Sequence, residues 1–192
     1  DVGASGTIQV HGPDADLGRL LAVADGLVTM NSTVAIDALV LGTGFRVNEY
    51  LSSIEVTGPG GRELNATWQG NPGAYLGITV AGFPNLFLLM GPNTGLGHNS
   101  MIFMIEAQAR YTLQCIQTLR ARGLKSLAVR PEIQDAFNHE LQAKLERSVW
   151  ASGCNSWYLG DNGRNSAAWP GFTVDYWRRT RRIQLEDFTL RS

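Results

Sequence analysis

Residues 85–123, NLFLLMGPNTGLGHNSMIFMIEAQARYTLQCIQTLRARG, decide how the chain is read. The apolar run at 85–90 reads as a buried strand. It runs straight into nine positions, Gly91 to Asn99, that hold three glycines, a proline and two asparagines. Beyond them Ile102, Ile105, Ala109, Leu113, Ile116 and Leu119 recur at steps of three and four, which predicts a helix with one apolar face. Asn99 or Ser100 supplies an N-cap and Gly123 a stop. Strand, glycine-rich turn and helix together form the geometry in which α/β proteins take anionic or electron-rich ligands, because free N–H groups and the positive helix end face outward. The turn is neither a Walker loop, since no Gly-Lys-Ser/Thr follows, nor the dinucleotide pattern G-x-G-x-x-G. Pattern alone therefore leaves a ligand-binding turn and a plain connection equally open.

Working outward, residues 18–45 read as a β-meander leading into a strand over Val34–Leu41, whose near-continuous aliphatic and β-branched residues suit a strand covered on both faces. That strand ends at Gly42-Thr43-Gly44, a second glycine turn at a strand end, so both turns can line one crevice at the carboxyl edge of a sheet. Gly58-Pro59-Gly60-Gly61 marks a hairpin. SLAV at 126–129 is a further strand, and Pro131 opens a polar helix running to about Trp150. From Ala151 to Gly171 periodicity vanishes, and a loop of that length is more often functional than filler. The stretch DYWRRTRRIQ at 175–184 reads as a short helix. Repeats and low-complexity linkers are absent, so a single domain or a large piece of one is expected.

Composition narrows the function classes. With 192 residues and a formal net charge of −1, the chain lacks the basic excess of a nucleic-acid or membrane surface, which leaves small molecules as partners. Cys115 and Cys154 are too few for a disulfide framework and match no metal motif, so they read as free thiols in a reducing cytoplasm, and no metal is expected. No apolar run is long enough to span a bilayer, and the first residues have no signal-peptide pattern. The chain starts at Asp1 without a methionine, which fits a fragment or a processed product.

Three stretches in this order carry a resemblance. DALVLGTGF (37–45) resembles the Ala-Thr-Gly motif, here Gly-Thr-Gly, that closes the nucleotide-binding domain of class B flavoprotein monooxygenases. Residues 75–108, YLGITVAGFPNLFLLMGPNTGLGHNSMIFMIEAQ, are similar to the segment that completes their FAD domain. Residues 152–182, SGCNSWYLGDNGRNSAAWPGFTVDYWRRTRR, are similar to their C-terminal loop and tail. The similarity runs from about Ala15 to Arg182 and points to Baeyer-Villiger monooxygenases of the cyclohexanone and hydroxyacetophenone type, with N- and S-oxygenating enzymes as cousins. It implies an α/β fold: the C-terminal part of a Rossmann-like FAD/NAD(P)-binding domain, with FAD-domain completion over 1–150 and a control loop and tail over 151–192. It implies FAD and NADPH as cofactors, O₂ activated as a peroxide at the flavin C4a position, and a ketone or, alternatively, a heteroatom as substrate. Thr43, Gly44, Gly91, Pro92 and Asn93 are then expected near FAD, and Trp157 over NADPH. Asn162 and Arg164 are weaker candidates in the same loop.

The family's G-x-G-x-x-G motifs, its Phe-x-Gly-x-x-x-His-x-x-x-Trp fingerprint and any match to its peroxyflavin-stabilising arginine are missing from the 192 residues. The resemblance thus implies a C-terminal portion that depends on a missing N-terminal part of the same chain, and no catalytic residue can be assigned within it. A piece of this kind is expected to be inactive and poorly soluble alone, because sheet edges and apolar faces lose their cover. A truncated, non-catalytic flavin- or partner-binding module is the alternative from another class.

Other residues have plainer readings. Glu106 is expected to pair with Arg110 one turn on. His98 reads as a loop cap, and the RRTRR run at 178–182 as a solvated basic face rather than a phosphate grip. Trp150, Trp169 and Trp177 read as packing residues. Trp68 and Tyr75 suit either a substrate border or a packed hairpin.

Overall fold

A computed structural model describes residues 50–51, 54–95, 100–148, 158–160 and 163–192, all within one compact unit, Val47–Ser192. In chain order its elements are α1 (Leu64–Trp68), α2 (Met101–Arg122), β1 (Ser126–Val129), α3 (Pro131–Leu145), α4 (Thr173–Thr180) and β2 (Phe188–Arg191). This mixed helix and strand content agrees with an α/β class. The expected meander and the strand at Val34–Leu41 lie outside the described residues.

α2 forms where its caps say it should. Ser100 Oγ accepts the Phe103 N–H at 3.3 Å, and Gly123, at φ 62°, donates back to Leu119 and Arg120 in the left-handed cap that glycine favours. Arg120 and Arg122 in the last turn suit the negative end of the helix dipole. The face that α2 buries differs from the expected one. Met104, Ala107, Gln108, Tyr111 and Cys115 turn inward, whereas Ile102, Leu113 and Ile116 are 64%, 52% and 41% exposed. Two apolar stripes share the helix at the same spacing. The described core selects the one carrying Gln108, whose Oε1 accepts the Met90 N–H at 2.8 Å and so fixes the helix against the segment before it. Glu106 is exposed and does not pair with Arg110, so that expectation fails.

Residues 85–90 are not a strand. Asn85 and Met90 both sit at positive φ, 61° and 56°, which breaks the extended run at each end, and Leu89 points outward. Asn85 instead stitches the segment to β1. Its N–H donates to Leu127 O at 3.0 Å, its amide donates to Lys125 O at 3.0 Å, and its Oδ1 accepts the Leu127 N–H at 3.1 Å. The opposite edge of β1 pairs antiparallel with β2, from Ser126 with Arg191 to Val129 with Phe188. α3 starts at Pro131 as expected but ends at Leu145, short of Trp150, where Ser148 Oγ donates to Leu145 O at 2.5 Å.

The main core joins Leu76, Ile78, the inner face of α2, Leu127 and Val129 of β1, Phe137, Leu141 and Leu145 of α3, and Trp169, Tyr176 and Phe188. A second cluster gathers Leu64, Trp68, Ala74, Val80, Phe83 and Leu88, and Trp68 Nε1 donates to Gly73 O at 2.9 Å. Trp68 is therefore a packing residue. So is Tyr75, which meets Phe137 edge-on at 5.4 Å and donates to Asp187 at 2.6 Å. The Gly58–Gly61 turn is present as a single 3₁₀ turn closed by the Thr57–Glu63 bridge.

Between these clusters the chain reverses at Leu76 and Gly77, at φ 56° and 66°. A Cβ on Gly77 would overlap Thr94 Cγ2 and lie 2.8 Å from Pro92 O. Gly77→Ala is expected to destabilise the full-length protein by about 3 kcal/mol through strain and overpacking. Gly60→Ala, also at positive φ but facing open space, is expected to cost about 1 kcal/mol. Thermal unfolding of both variants measures the contrast, and equal shifts would remove the close approach of Gly77 to Thr94 from the account.

Candidate functional site

The glycine-rich turn is built around Asn93. At φ 59° it holds a left-handed conformation that asparagine tolerates better than most residues, and it is only 3% exposed. Its backbone N–H donates to Ser166 O at 2.6 Å, and its side-chain amide donates to Asn165 O at 2.8 Å and Ala168 O at 3.1 Å. Gly95 continues the junction, donating to Ala167 O and accepting from Trp169 N–H, both at 2.8 Å, in a parallel bridge with Ala168. Thr94 Oγ1 donates back to Gly91 O at 2.6 Å. The glycines are required sterically. A Cβ on Gly91 would run into Gly77 O, and one on Gly95 would sit 2.8 Å from Ala167 O.

The other half of the junction is prearranged. Asn165 Oδ1 accepts the N–H groups of Ala167 and Ala168 at 3.1 and 2.9 Å, curling the chain so that its carbonyls face Asn93. Gln142 of α3 adds a 3.0 Å bond to Asn165 O, and Tyr50 OH donates to Ser166 O at 3.2 Å. Trp169 meets Tyr176 edge-on at 5.0 Å, and Tyr176 OH donates to Leu76 O at 2.6 Å. Burial keeps the Tyr176 phenol protonated well above its ordinary range. Among the described residues, Asn93 Oδ1 and Asn165 Nδ2 are buried polar atoms with no hydrogen-bond partner.

Of the residues named from sequence, Gly91, Pro92 and Asn93 come together here and are buried, with the amide hydrogens of Asn93 committed to the 165–168 segment. Thr43, Gly44, Trp157, Asn162 and His98 lie outside the described residues. Arg164 is half-buried, and desolvation holds its guanidinium pKa below the usual value. With Asn138, His139 and Gln142 it lines an open groove of about 510 Å³. Asn165 escaped the sequence reading altogether. Its only local signal is an asparagine placed to cap its own following turn. The basic run is largely engaged on the surface: Arg178 with Asp175 at 3.3 Å, Arg179 with Glu140 at 2.7 Å, and Arg181 over the Trp177 ring at 5.3 Å. Among the described residues there is no cluster of metal-ligating side chains and no helix long and apolar enough to cross a membrane.

No family model matches the chain. Over 170 residues, 87% of its length, it is 47% identical to a Baeyer-Villiger monooxygenase of Pseudomonas aeruginosa, and over 190 residues 42% identical to one of Streptomyces coelicolor. The chain is a homologue of part of the Baeyer-Villiger monooxygenases. It spans about a third of these relatives, 32% and 34% of their lengths. Among solved structures, the OTEMO complex with FAD and NADP superposes with a TM-score of 0.67 at 25% identity, over 81% of this chain and 31% of that one. The resemblance drawn from the three sequence stretches therefore holds, and the family's flavin-dependent oxidoreductases are the chain's relatives. In these enzymes' homologue, the Asn93 junction joins two segments that sequence similarity alone had kept separate.

Asn93→Ala removes the donor of two buried carbonyls. It is expected to lower stability by about 2–3 kcal/mol, read by denaturant unfolding of the full-length protein. A loss within 0.5 kcal/mol would show that the junction does not depend on this side chain.

Proposed function

We propose that this chain is the C-terminal part of an NADPH- and FAD-dependent monooxygenase that inserts one oxygen atom of O₂ into a ketone. The observation that carries this reading is the 47% identity with a Baeyer-Villiger monooxygenase over 87% of the chain. In this reading Thr43, Gly44, Gly91, Pro92 and Asn93 lie toward FAD and Trp157 covers NADPH.

The described residues fit a flavin. α2 carries no acidic residue in its first turn, so its positive end is not neutralised from within and suits the negative charge of a reduced isoalloxazine. The turn ahead of it is close-packed, with Gly91 against Gly77 O and Gly95 against Ala167 O, and among the described residues Asn93 Oδ1 is a buried acceptor without a partner. FAD, when bound and reduced, supplies the oxygen chemistry. The chain's own part is positional. Gly91 and Gly95 let backbone approach closely, the Asn93 junction holds the turn rigid, and the indole of Trp157 closes over the nicotinamide and excludes water.

The deciding test is the upstream sequence of the native polypeptide, followed by assay of the full-length enzyme. Two G-x-G-x-x-G strands flanking the His/Trp fingerprint, with a yellow protein that converts a ketone to an ester or lactone, are expected. A start codon near Asp1 would sink the proposal. In the full-length enzyme Trp157→Ala is expected to impair oxygenation and coupling more than FAD retention. Loss of FAD with otherwise normal holoenzyme would refute the role given to Trp157. Ser100→Asp keeps a capping side chain but sets a carboxylate at the start of α2. It is expected to lower the two-electron flavin potential by on the order of 10–20 mV while leaving Tm unchanged, and an unmoved potential would place the flavin away from this helix end.

A further inference from the structure

α3 and α4 border a cavity of about 310 Å³, which lies at the lower end of the range that small-molecule sites occupy and which the proposed function does not use. Phe137 and Leu141 of α3, with Trp169 and Pro170 ahead of α4, give it an apolar floor. The Trp169 indole is held there by its Nε1–H, which donates to Phe172 O at 3.3 Å, and by its edge-on contact with Tyr176. Trp169 also donates its backbone N–H to Gly95 O at 2.8 Å, so the cavity backs directly onto the Asn93 junction. Charge is confined to the rim. Glu140 Oε1 accepts from both Lys144 and Arg179, at 2.5 and 2.7 Å, and Arg178 meets Asp175 at 3.3 Å. One carboxylate oxygen thus serves two cations, and the three cations against two carboxylates leave the rim with a net positive charge. Hydrogen bonds from Arg179 and Lys144 hold the Glu140 carboxyl down at about 2, so it offers a fixed charge rather than a proton to exchange, which suits binding and not reaction.

We infer that this cavity binds a small aromatic carboxylate, with its ring on the apolar floor and its anionic group at the rim beside Lys144, Arg178 and Arg179. The inference does not depend on the proposed function. Floor and rim each exclude a class of occupant. A bare phosphate would engage the rim and leave the floor wet, an uncharged apolar molecule would gain nothing from the cations, and an ammonium would meet an excess of its own charge. A planar ring, by contrast, packs by edge or face against Phe137 and Trp169. Polypeptide is a poor occupant for a different reason. The five charged side chains of the rim are between 38% and 69% exposed, and a segment laid across them would strip water from all five, whereas a small molecule leaves the rim solvated.

The experiment is equilibrium dialysis of the full-length protein against three probes of one shape: naphthoate, naphthylmethylammonium and naphthylmethanol. Naphthoate is expected to bind about tenfold more tightly than the other two. Arg178→Glu reverses the sign of the rim and is expected to weaken naphthoate about tenfold while barely changing the alcohol, and Asp175→Asn, which adds net positive charge, is expected to tighten naphthoate about threefold. Both side chains are exposed, so Tm is expected to hold. The opposite signs localise the binding, because a carboxylate held elsewhere, in a substrate site included, responds to neither change. No binding of naphthoate, equal binding of the three probes, or an affinity that both variants leave unchanged overturns the inference. If Arg178→Glu prevents folding, Asp175→Asn decides alone, and unchanged or weaker binding of naphthoate then overturns it.

Discussion

Two amide hydrogens on one buried asparagine hold the described structure closed. Asn93 reaches carbonyls 72 and 75 residues further along the chain, and α2, β1 and α3 all lie in the loop between those points. Closing so long a loop costs chain entropy, although the cost grows only slowly with length. It is offset by burial of Leu76, Tyr111, Trp169 and Tyr176 around the closure. A second tie, Tyr176 OH to Leu76 O, spans 100 residues and passes beside the first. The strained Leu76–Gly77 reversal persists because Tyr176 on one side and Thr94 and Pro92 on the other leave it no other path.

Charge contributes much less. Glu140 links α3 to α4 through Arg179 and also meets Lys144, and these hydrogen bonds bring its carboxyl down to about 2. A depressed carboxylate stabilises above its unfolded pKa, and that stabilisation is lost only as pH falls toward 2. The site is largely exposed, so solvent screening keeps the gain small. Buried groups on the main core stay neutral instead: desolvation pushes the Cys115 thiol up to about 12, which makes it a packing residue rather than a nucleophile.

What was legible in the sequence was local. Ser100 and Gly123 announce the ends of α2 because capping involves only neighbouring backbone, and Pro131 announces α3 for the same reason. The buried face of α2 was not legible, because two stripes share one period and only the rest of the fold selects between them. Residues 85–90 read as a strand from their apolar run, yet a strand also needs extended backbone at its ends, and Asn85 and Met90 turn away from it. β2 was missed because Phe188–Arg191 is short, with only Phe188 buried, and its partner is far away in sequence. In the site, Gly91 and Asn93 stood out by type, while the arrangement of Asn165 opposite Asn93 depends on a contact that no sequence window contains.

The same logic bears on why this turn combines glycine with asparagine. Glycine alone would permit the close approach to Gly77 and Ala167 but would leave the turn free to move, since it loses more conformational freedom on folding than any other residue. Asn93 tolerates the left-handed backbone and supplies donors that pin the turn to 165–168. The pair thus gives a backbone that is both close-fitting and fixed. Such a turn is rigid by construction, because its glycines admit the neighbouring carbonyls while the asparagine amide closes on them. The junction also couples the glycine-rich turn to the 165–168 segment, so neither moves without breaking the buried bonds of the other.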